Sequence, residues 1–112
     1  MAIDELVFRR AAEAALEELK NALIVAEESA DFEVEEQGGV LNLSFEDPPA
    51  KFVITPNAAA GQIWISALSK SFKLDWSEID QTFVLEKTGE SLKKLVERLM
   101  NEQLGEEVVQ LG

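Results

Sequence analysis

The spacing of apolar residues changes near residue 31, from the period of a helix to that of a strand. Residues 3 to about 26 are dominated by Ala, Leu and Glu, which favour helix formation. Their apolar residues approximate an i, i+3/i+4 stripe made of Ile3, Val7, Ala11, Ala14, Ala15, Leu19, Ala22 and Leu23. From Asp31 onward, apolar residues such as Phe32 and Val34 alternate with acids. The sequence therefore predicts one long helix followed by strands.

Turn-forming residues divide the middle of the chain into short strands. Gly38–Gly39 marks the first turn, and Asp47-Pro48-Pro49 breaks the second strand. The predicted strands are 31–35, 41–46, 52–54, 62–66, 72–74 and 82–86, with a loop at 55–61. A second helix is predicted to open at Thr88–Ser91 and to end at Gly105, before a short strand or an extended tail.

The order of helix, strands and helix predicts an α+β fold. Consecutive strands with short connections pair antiparallel. The expected architecture is a two-layer sandwich in which the N- and C-terminal helices pack on one face of an antiparallel sheet. The other face is left to solvent or to a partner. For 112 residues, a single domain spanning 1–112 is expected.

Negative charge is concentrated in the first 47 residues. This stretch holds thirteen of the 22 acidic residues but only three of the ten basic ones, Arg9, Arg10 and Lys20. Such a field attracts cations and basic partners and repels nucleic acids and anionic membranes, so neither of the latter is expected as a partner. The acidic N-terminus does not resemble a signal peptide, and no apolar run approaches the ~20 residues of a membrane span. A cytoplasmic protein is therefore expected.

The chain contains neither histidine nor cysteine. Their absence removes the usual general base, the thiolate nucleophile, thiolate metal sites and disulfides. No phosphate-binding loop, dinucleotide fingerprint or EF-hand loop is present. An enzyme is therefore not expected. Ferroxidase-type or storage chemistry would need a buried carboxylate cluster on facing helices, which the helical pattern does not show.

Several acids are placed where they could act together. Glu13 and Glu17 lie one turn apart on the outer face of the first predicted helix, and Asp31, Glu33 and Glu35 alternate along one face of the first strand. Carboxylates without His or Cys suit hard cations such as magnesium, calcium, manganese or ferrous iron. Either these acids form an exposed ridge that binds cations weakly, or they are a solvated face that only confers solubility.

The fourth predicted strand carries Trp64 between two isoleucines. If Ile63 and Ile65 pack under the helices, Trp64 points outward with Gln62 and Ser66. An exposed tryptophan is rigid and amphipathic and is enriched at binding hot spots. The alternative is that its ring only covers neighbouring strand side chains.

Several segments resemble the frataxin family in order and spacing. They are Gly38-Gly39-Val40-Leu41, Phe52-Val53-Ile54, Gln62-Ile63-Trp64-Ile65-Ser66, Asp75-Trp76 and Gly89-Glu90-Ser91-Leu92. The tail Gly105-Glu106-Glu107-Val108 is similar to the bacterial branch of that family. The resemblance spans nearly the whole chain.

The resemblance implies the two-layer fold described above and a role as an acidic, iron-binding regulator of iron–sulfur cluster assembly. It implies weak binding of ferrous or ferric iron, tolerance of other divalent cations, and docking of a monomer on the cysteine desulfurase and the scaffold protein. Carried over to this chain, the metal-binding acids are Glu13, Glu17, Glu27, Glu28, Asp31, Glu33 and Glu35. The partner-binding residues are Asn57, Gln62, Trp64 and Lys73.

The end of the first helix departs from the family pattern. Where the family has acids, this chain has Lys20, Asn21, Ile24 and Val25. This departure favours an alternative function, a protein-interaction module that uses the open sheet face around Trp64 and has no physiological metal. The acidic alternation in the first strand favours iron binding.

Overall fold

A computed structural model describes residues 4–46 and 48–111. Within these residues the elements are α1 (Glu5–Ala26), β1 (Glu33–Gln37), β2 (Val40–Glu46), β3 (Pro49–Asn57), β4 (Gln62–Ala67), β5 (Lys70–Ser77), β6 (Thr82–Leu85), β7 (Glu90–Ser91) and α2 (Leu92–Leu104). The strands form one sheet in chain order, and each pairs antiparallel with the next. Both helices pack on one face of it, which confirms the predicted α+β two-layer fold.

The buried stripe of α1 agrees with the predicted one in part: Leu19 and Leu23 are buried as predicted, and Ala11, Ala15 and Ala22 are partly buried against the core. Its buried residues are Phe8, Ala12, Leu16, Leu19, Leu23 and Ala26. Val7 is 51% exposed and Ala14 is exposed as well, so the prediction is wrong for both, whereas Ile3 lies outside the described residues. The reason is an edge-on contact between Phe8 and Phe83, with ring centroids 5.7 Å apart. This contact sets the rotation of the helix against the sheet.

The third strand extends further than predicted. The predicted loop at 55–61 is wrong for residues 55–57, which belong to β3. Pro56 pairs with Ile63 of β4. The register of β2 against β3 ends at Leu41 opposite Ile54. Pro56 therefore has a neighbouring strand on one side only, a position where the missing N–H of proline is tolerated.

The other strands differ from the prediction in length and not in order. β1 begins at Glu33, later than predicted, and β5 is longer than the predicted 72–74. Glu90–Ser91 was predicted to open the second helix but pairs with β6 as a short seventh strand, and α2 begins at Leu92. Ser91 then caps the helix, and Gly105, with a φ of 74°, ends it as predicted. The predicted break at Asp47 falls on a residue outside the described part of the chain.

The core lies between the helices and one face of the sheet. Among its fully buried side chains are Phe52 and Ile54 of β3 and Ile63 and Ile65 of β4. The partly buried Trp76 packs against the buried Phe83 with ring centroids 5.2 Å apart. No polar or charged residue is buried in the described part of the chain. The polar chemistry of this part of the protein therefore lies at its surface.

Within residues 4–46 and 48–111, no helix is long and apolar enough to cross a bilayer. The cytoplasmic location inferred from the sequence stays a prediction.

The two-residue turn between β4 and β5 holds strained backbone. Leu68 and Ser69 have φ values of 53° and 61°, in the left-handed region that costs an L-residue about 1–2 kcal/mol. Ser69→Gly should raise the free energy of unfolding by about 0.5 kcal/mol, because glycine relieves this strain but loses more chain entropy on folding. Thermal unfolding followed by circular dichroism measures the change. Ser71→Gly in the extended β5 is the control and should lower stability. A Ser69→Gly protein that melts below the parent would contradict the expectation.

An ion pair fastens β7 to α2. Arg98 Nε and Nη2 donate to Glu90 Oε2 and Oε1 at 2.7 and 2.9 Å. Thr88 Oγ1 also donates to Glu90 Oε1, at 2.8 Å. The hydrogen bond from Arg98 lowers the pKa of Glu90 below its ordinary value of 4.5.

Glu90→Gln should therefore destabilise the fold at neutral pH by about 1 kcal/mol and much less in acid. A carboxylate with a depressed folded-state pKa contributes stability above its unfolded pKa. That contribution is lost as the pH falls through the folded-state pKa. Urea unfolding of parent and variant between about pH 7 and about pH 2 measures the difference. A gap that stays constant over this range would show that the ionised pair does not stabilise the fold.

The C-terminal tail is extended, and two of its apolar side chains are buried. Val109 and Leu111 are 2% and 4% exposed. Asn101 Oδ1 accepts the Val108 and Val109 N–H groups at 3.1 and 2.8 Å, and its Nδ2 donates to the Val109 carbonyl at 3.1 Å. Leu111 N–H donates to Glu97 Oε1 at 2.9 Å. Of the two sequence-based alternatives, a short strand or an extended tail, the structure shows the tail.

Candidate partner- and metal-binding surfaces

The uncovered face of the sheet carries two short rows of side chains around Trp64. The first row is Thr55, Trp64 and Lys73, and the second is Asn57, Gln62 and Asp75. The two isoleucines that flank Trp64 are buried under the helices. The alternation of the strand therefore places Trp64 on the open face, as predicted.

Polar contacts hold the indole ring of Trp64 in place. Its Nε1 donates to Gln62 Oε1 at 2.8 Å, and Gln62 Nε2 donates to Asp75 Oδ1 at 3.0 Å. The Lys73 ammonium lies 4.9 Å from the ring centroid, within cation–π distance. Because the only donor of the indole is used within the protein, Trp64 offers a partner its half-buried ring and not its N–H.

Three of the four predicted partner-binding residues form this contact group, namely Gln62, Trp64 and Lys73. Asn57 lies opposite Gln62 in the sheet, but its Oδ1 accepts a backbone N–H of the β3–β4 turn at 3.0 Å. Its side chain therefore shapes that turn. The sequence reasoning missed Asp75, although alternation from Lys73 puts it on the same face. A role of these residues in binding stays a prediction.

The acids predicted as one ridge are divided between two surfaces. Glu33 and Glu35 alternate with Val34, which packs against the core, so both lie on the open face of β1. Glu13 and Glu17 instead line a groove between α1 and the β1–β2 turn. Within residues 4–46 and 48–111, no three potential ligands lie close enough together to hold a metal ion as a group. The exposed carboxylates suit a hard cation held weakly, since no cage of the described residues fixes its geometry.

Glu27 accepts a hydrogen bond from the backbone of β1, the edge strand of the sheet. Its Oε2 accepts the Val34 N–H at 2.8 Å. Glu27 is also the C-cap residue of α1, so this bond ties the helix end to the sheet edge. It also covers an N–H that an edge strand would otherwise expose. The two remaining predicted ligands, Glu28 and Asp31, are exposed between α1 and β1.

Glu36 is a surface acid that the sequence reasoning missed. Lys20 Nζ donates to Glu36 Oε1 at 2.8 Å, joining α1 to β1. This hydrogen bond raises the pKa of Lys20 above its ordinary value. The alternation of side chains along the strand could have identified Glu36. It lies on the same side of β1 as Val34 and therefore faces the helix.

The chain matches the model of one known protein family over most of its length. A family model of the frataxin-like domain matches residues 1–106. The chain belongs to the frataxin-like family.

The relatives of this frataxin-like protein include bacterial assembly proteins. The iron-sulfur cluster assembly protein CyaY of Stutzerimonas stutzeri is 35% identical over 78 residues, which cover 70% of this chain and 70% of that protein. The protein of the same name from Pseudomonas fluorescens is 26% identical over 107 residues, which cover 96% and 94%. A frataxin from Psychromonas ingrahamii, of the CyaY protein family, has the same fold with a TM-score of 0.82 at 17% identity, over 98% of this chain and 99% of that one.

Membership in the frataxin-like family confirms the resemblance found in the sequence. The departures from the family pattern lie at the surface of α1. Ile24 and Val25 are 45% and 66% exposed, and Lys20 is paired with Glu36. These substitutions change the outer surface of the helix and leave its buried stripe intact.

Proposed function

We propose that this frataxin-like protein is an acidic regulator of iron–sulfur cluster assembly that docks on the cysteine desulfurase and its scaffold protein. It acts as a monomer in the cytoplasm. The observation that carries the proposal is the uncovered sheet face, where a half-buried tryptophan is locked among polar side chains. Its CyaY relatives are named as iron–sulfur cluster assembly proteins. An aromatic anchor with a polar surround is typical of a binding hot spot.

The charge distribution supports docking on the same face. The net charge is −12, and Glu33 and Glu35 border the open face on β1. Glu35 lies in one register row with Asn42, Val53 and Ser66. A partner with a basic patch would meet the acids and the Trp64 group on one surface. Its association would be fast and would weaken as salt is added.

Capture by a purified desulfurase–scaffold complex, with and without ferrous iron, tests this function. We expect capture at low salt and a change in the captured amount when iron is added. An unrelated acidic protein of similar net charge is the control and should not be captured. Failure to capture this protein at low salt, in the presence or absence of iron, would refute the proposal.

The proposed cargo is iron, held weakly by the acids of α1 and β1. Carboxylate oxygens accept ferrous, ferric and other hard divalent ions with little selectivity. Ligation on an exposed surface is weak because water competes for every coordination position.

Titration with manganous or ferrous ion, followed by amide NMR, should perturb residues 13–17 and 31–36 first. The combined variant Glu33→Gln/Glu35→Gln should weaken the perturbation of β1. Glu106→Gln/Glu107→Gln removes the same charge elsewhere and is the matched control. Perturbation that begins within residues 97–107, which are also acidic, would show that the site assignment is wrong.

A second candidate function is an interaction module without a physiological metal. It is favoured by Ile24 and Val25, which are apolar and exposed where the family resemblance implies acids. The hydrogen bond that Glu27 accepts from the Val34 N–H also favours this candidate, because it occupies an oxygen of a predicted metal ligand. Capture by the desulfurase–scaffold complex that iron leaves unchanged would favour this candidate over the first.

Ferroxidase-type chemistry has no supporting observation. The CyaY relatives are named as assembly proteins. In the described part of the chain, every carboxylate lies outside the buried core. The buried cluster on facing helices that such chemistry would use is therefore not found there.

A further inference from the structure

The loop between β5 and β6, residues 78–81, displays one apolar side chain to solvent. Its Ile79 is 95% exposed, the largest exposed fraction among the exposed large hydrophobic residues of the described chain. An isoleucine in this position contributes almost no apolar burial to the fold. Single exposed apolar residues are common on protein surfaces, but the shape of the loop and the charges beside Ile79 set this one apart.

Hydrogen bonds fix the shape of the β5–β6 loop. Ser77 Oγ accepts the Asp80 N–H at 3.1 Å and donates to Asp80 Oδ2 at 3.0 Å. Gln81 Nε2 donates to the Glu78 carbonyl at 2.7 Å. A loop whose shape is already fixed loses little conformational entropy when it binds. Ile79 is therefore held ready for a partner at the tip of the loop.

The loop is close enough to the Trp64 contact group to share one partner surface with it. Lys73 pairs directly with Trp64 in the sheet. Ile79 is six positions after Lys73, which limits the distance between their Cα atoms to about 22 Å. A standard interface buries about 800 Å² on each partner, which corresponds to a patch about 30 Å across. One partner can therefore cover Trp64 and Ile79 together.

The charges beside Ile79 indicate the chemistry of this partner. Glu78 and Asp80 flank it, and all three residues are exposed. In the part of the chain that the structure describes, no salt bridge engages either acid. A surface that covers the loop tip therefore needs an apolar pocket for the isoleucine and basic side chains at its rim, because an acidic rim would be repelled.

We propose that Ile79 is a second anchor for the desulfurase–scaffold complex, which receives it in an apolar pocket with a basic rim. This inference rests on the function proposed above and extends the docking surface from the Trp64 contact group to the β5–β6 loop. Trp64 and Ile79 supply two apolar contacts on one surface, and the acids beside each of them favour the same basic partner.

The affinity of Ile79 variants for the purified desulfurase–scaffold complex tests the anchor. Ile79→Ser should weaken binding about tenfold or more, because serine gains little when it is buried. It should leave Tm unchanged, because the isoleucine is already exposed in the free protein. Ile79→Leu keeps an apolar side chain and should retain most of the affinity. Val7→Ser, at an exposed position on the helix side, is the matched control and should change neither quantity.

Removal of the two acids of the loop tests the basic rim. Glu78→Gln/Asp80→Asn should slow association and weaken binding about threefold at low salt, and the difference should vanish at high salt. Glu106→Gln/Glu107→Gln removes the same charge beyond the end of α2 and should have a smaller effect.

Crosslinking identifies the pocket on the partner. A photo-reactive p-benzoylphenylalanine placed at position 79 should crosslink to a segment of the complex that contains apolar residues together with Lys or Arg. A crosslink confined to an acidic segment would contradict the proposed rim.

The comparison with Trp64→Ala separates this inference from the proposed function. Ile79→Ser that binds as tightly as the parent, while Trp64→Ala binds weakly, would overturn the inference and leave the function in place. Binding by Ile79→Leu as weak as that by Ile79→Ser would also overturn it, because apolar burial would then not explain the loss. A parent protein that does not bind the complex would refute the function, and this inference with it.

Discussion

Removal of residues 108–112 should lower the free energy of unfolding by about 2–4 kcal/mol. Val109 and Leu111 are almost fully buried, and burial of each such side chain contributes about 1.5–3 kcal/mol. The four hydrogen bonds to Asn101 and Glu97 add to this gain. The entropy of ordering the tail offsets part of it, which is why the expected loss is smaller than the sum of the contacts.

Thermal and urea unfolding measure the effect of this truncation. For a domain of this size, the expected loss lowers Tm by about 10 °C or more. Leu111→Ala alone should account for about 2 kcal/mol, whereas Gln110→Ala, at an exposed position between the two anchors, should change little. A truncated protein that unfolds at the same urea concentration as the parent would show that the tail does not stabilise the fold.

Trp64→Ala should reduce affinity for the desulfurase–scaffold complex by about 30-fold or more, the effect of losing about 2 kcal/mol at a hot spot. It should have a much smaller effect on folding, since Trp64 is half-buried on the face opposite the core. The ring has no helix above it, so its removal leaves no closed cavity.

Two further variants separate binding from stability. Trp64→Phe keeps an apolar ring but loses the hydrogen bond to Gln62, and it should retain most of the affinity. Phe52→Ala, on the core side of the neighbouring strand, should cost about 3–5 kcal/mol of stability. A Trp64→Ala protein that melts far below the parent yet binds the complex normally would make Trp64 a structural residue and would place the working face elsewhere.

Features with a local cause could be predicted from the sequence. The alternation of residues 62–66 puts Trp64 on one face and the isoleucines on the other, whatever the strand pairs with. Ser91 and Gly105 bound α2 because a side-chain acceptor and a left-handed residue suit the two ends of any helix. The Gly38–Gly39 turn follows in the same way from backbone conformations that glycine adopts freely.

Features that depend on contacts between residues far apart in the chain could not be predicted from the sequence. A helical pattern shows a period, but the rotation of α1 depends on the contact of Phe8 with Phe83, and these residues are far apart in the chain. The same holds for Glu27 and Glu36, which look like any other acids until the end of α1 meets the edge of β1. Pro56 belongs to a strand only because β2 stops short of it. Composition sets the charge of this surface, but tertiary contacts determine which carboxylates remain free to bind, because each pairing needs two elements brought together by the core.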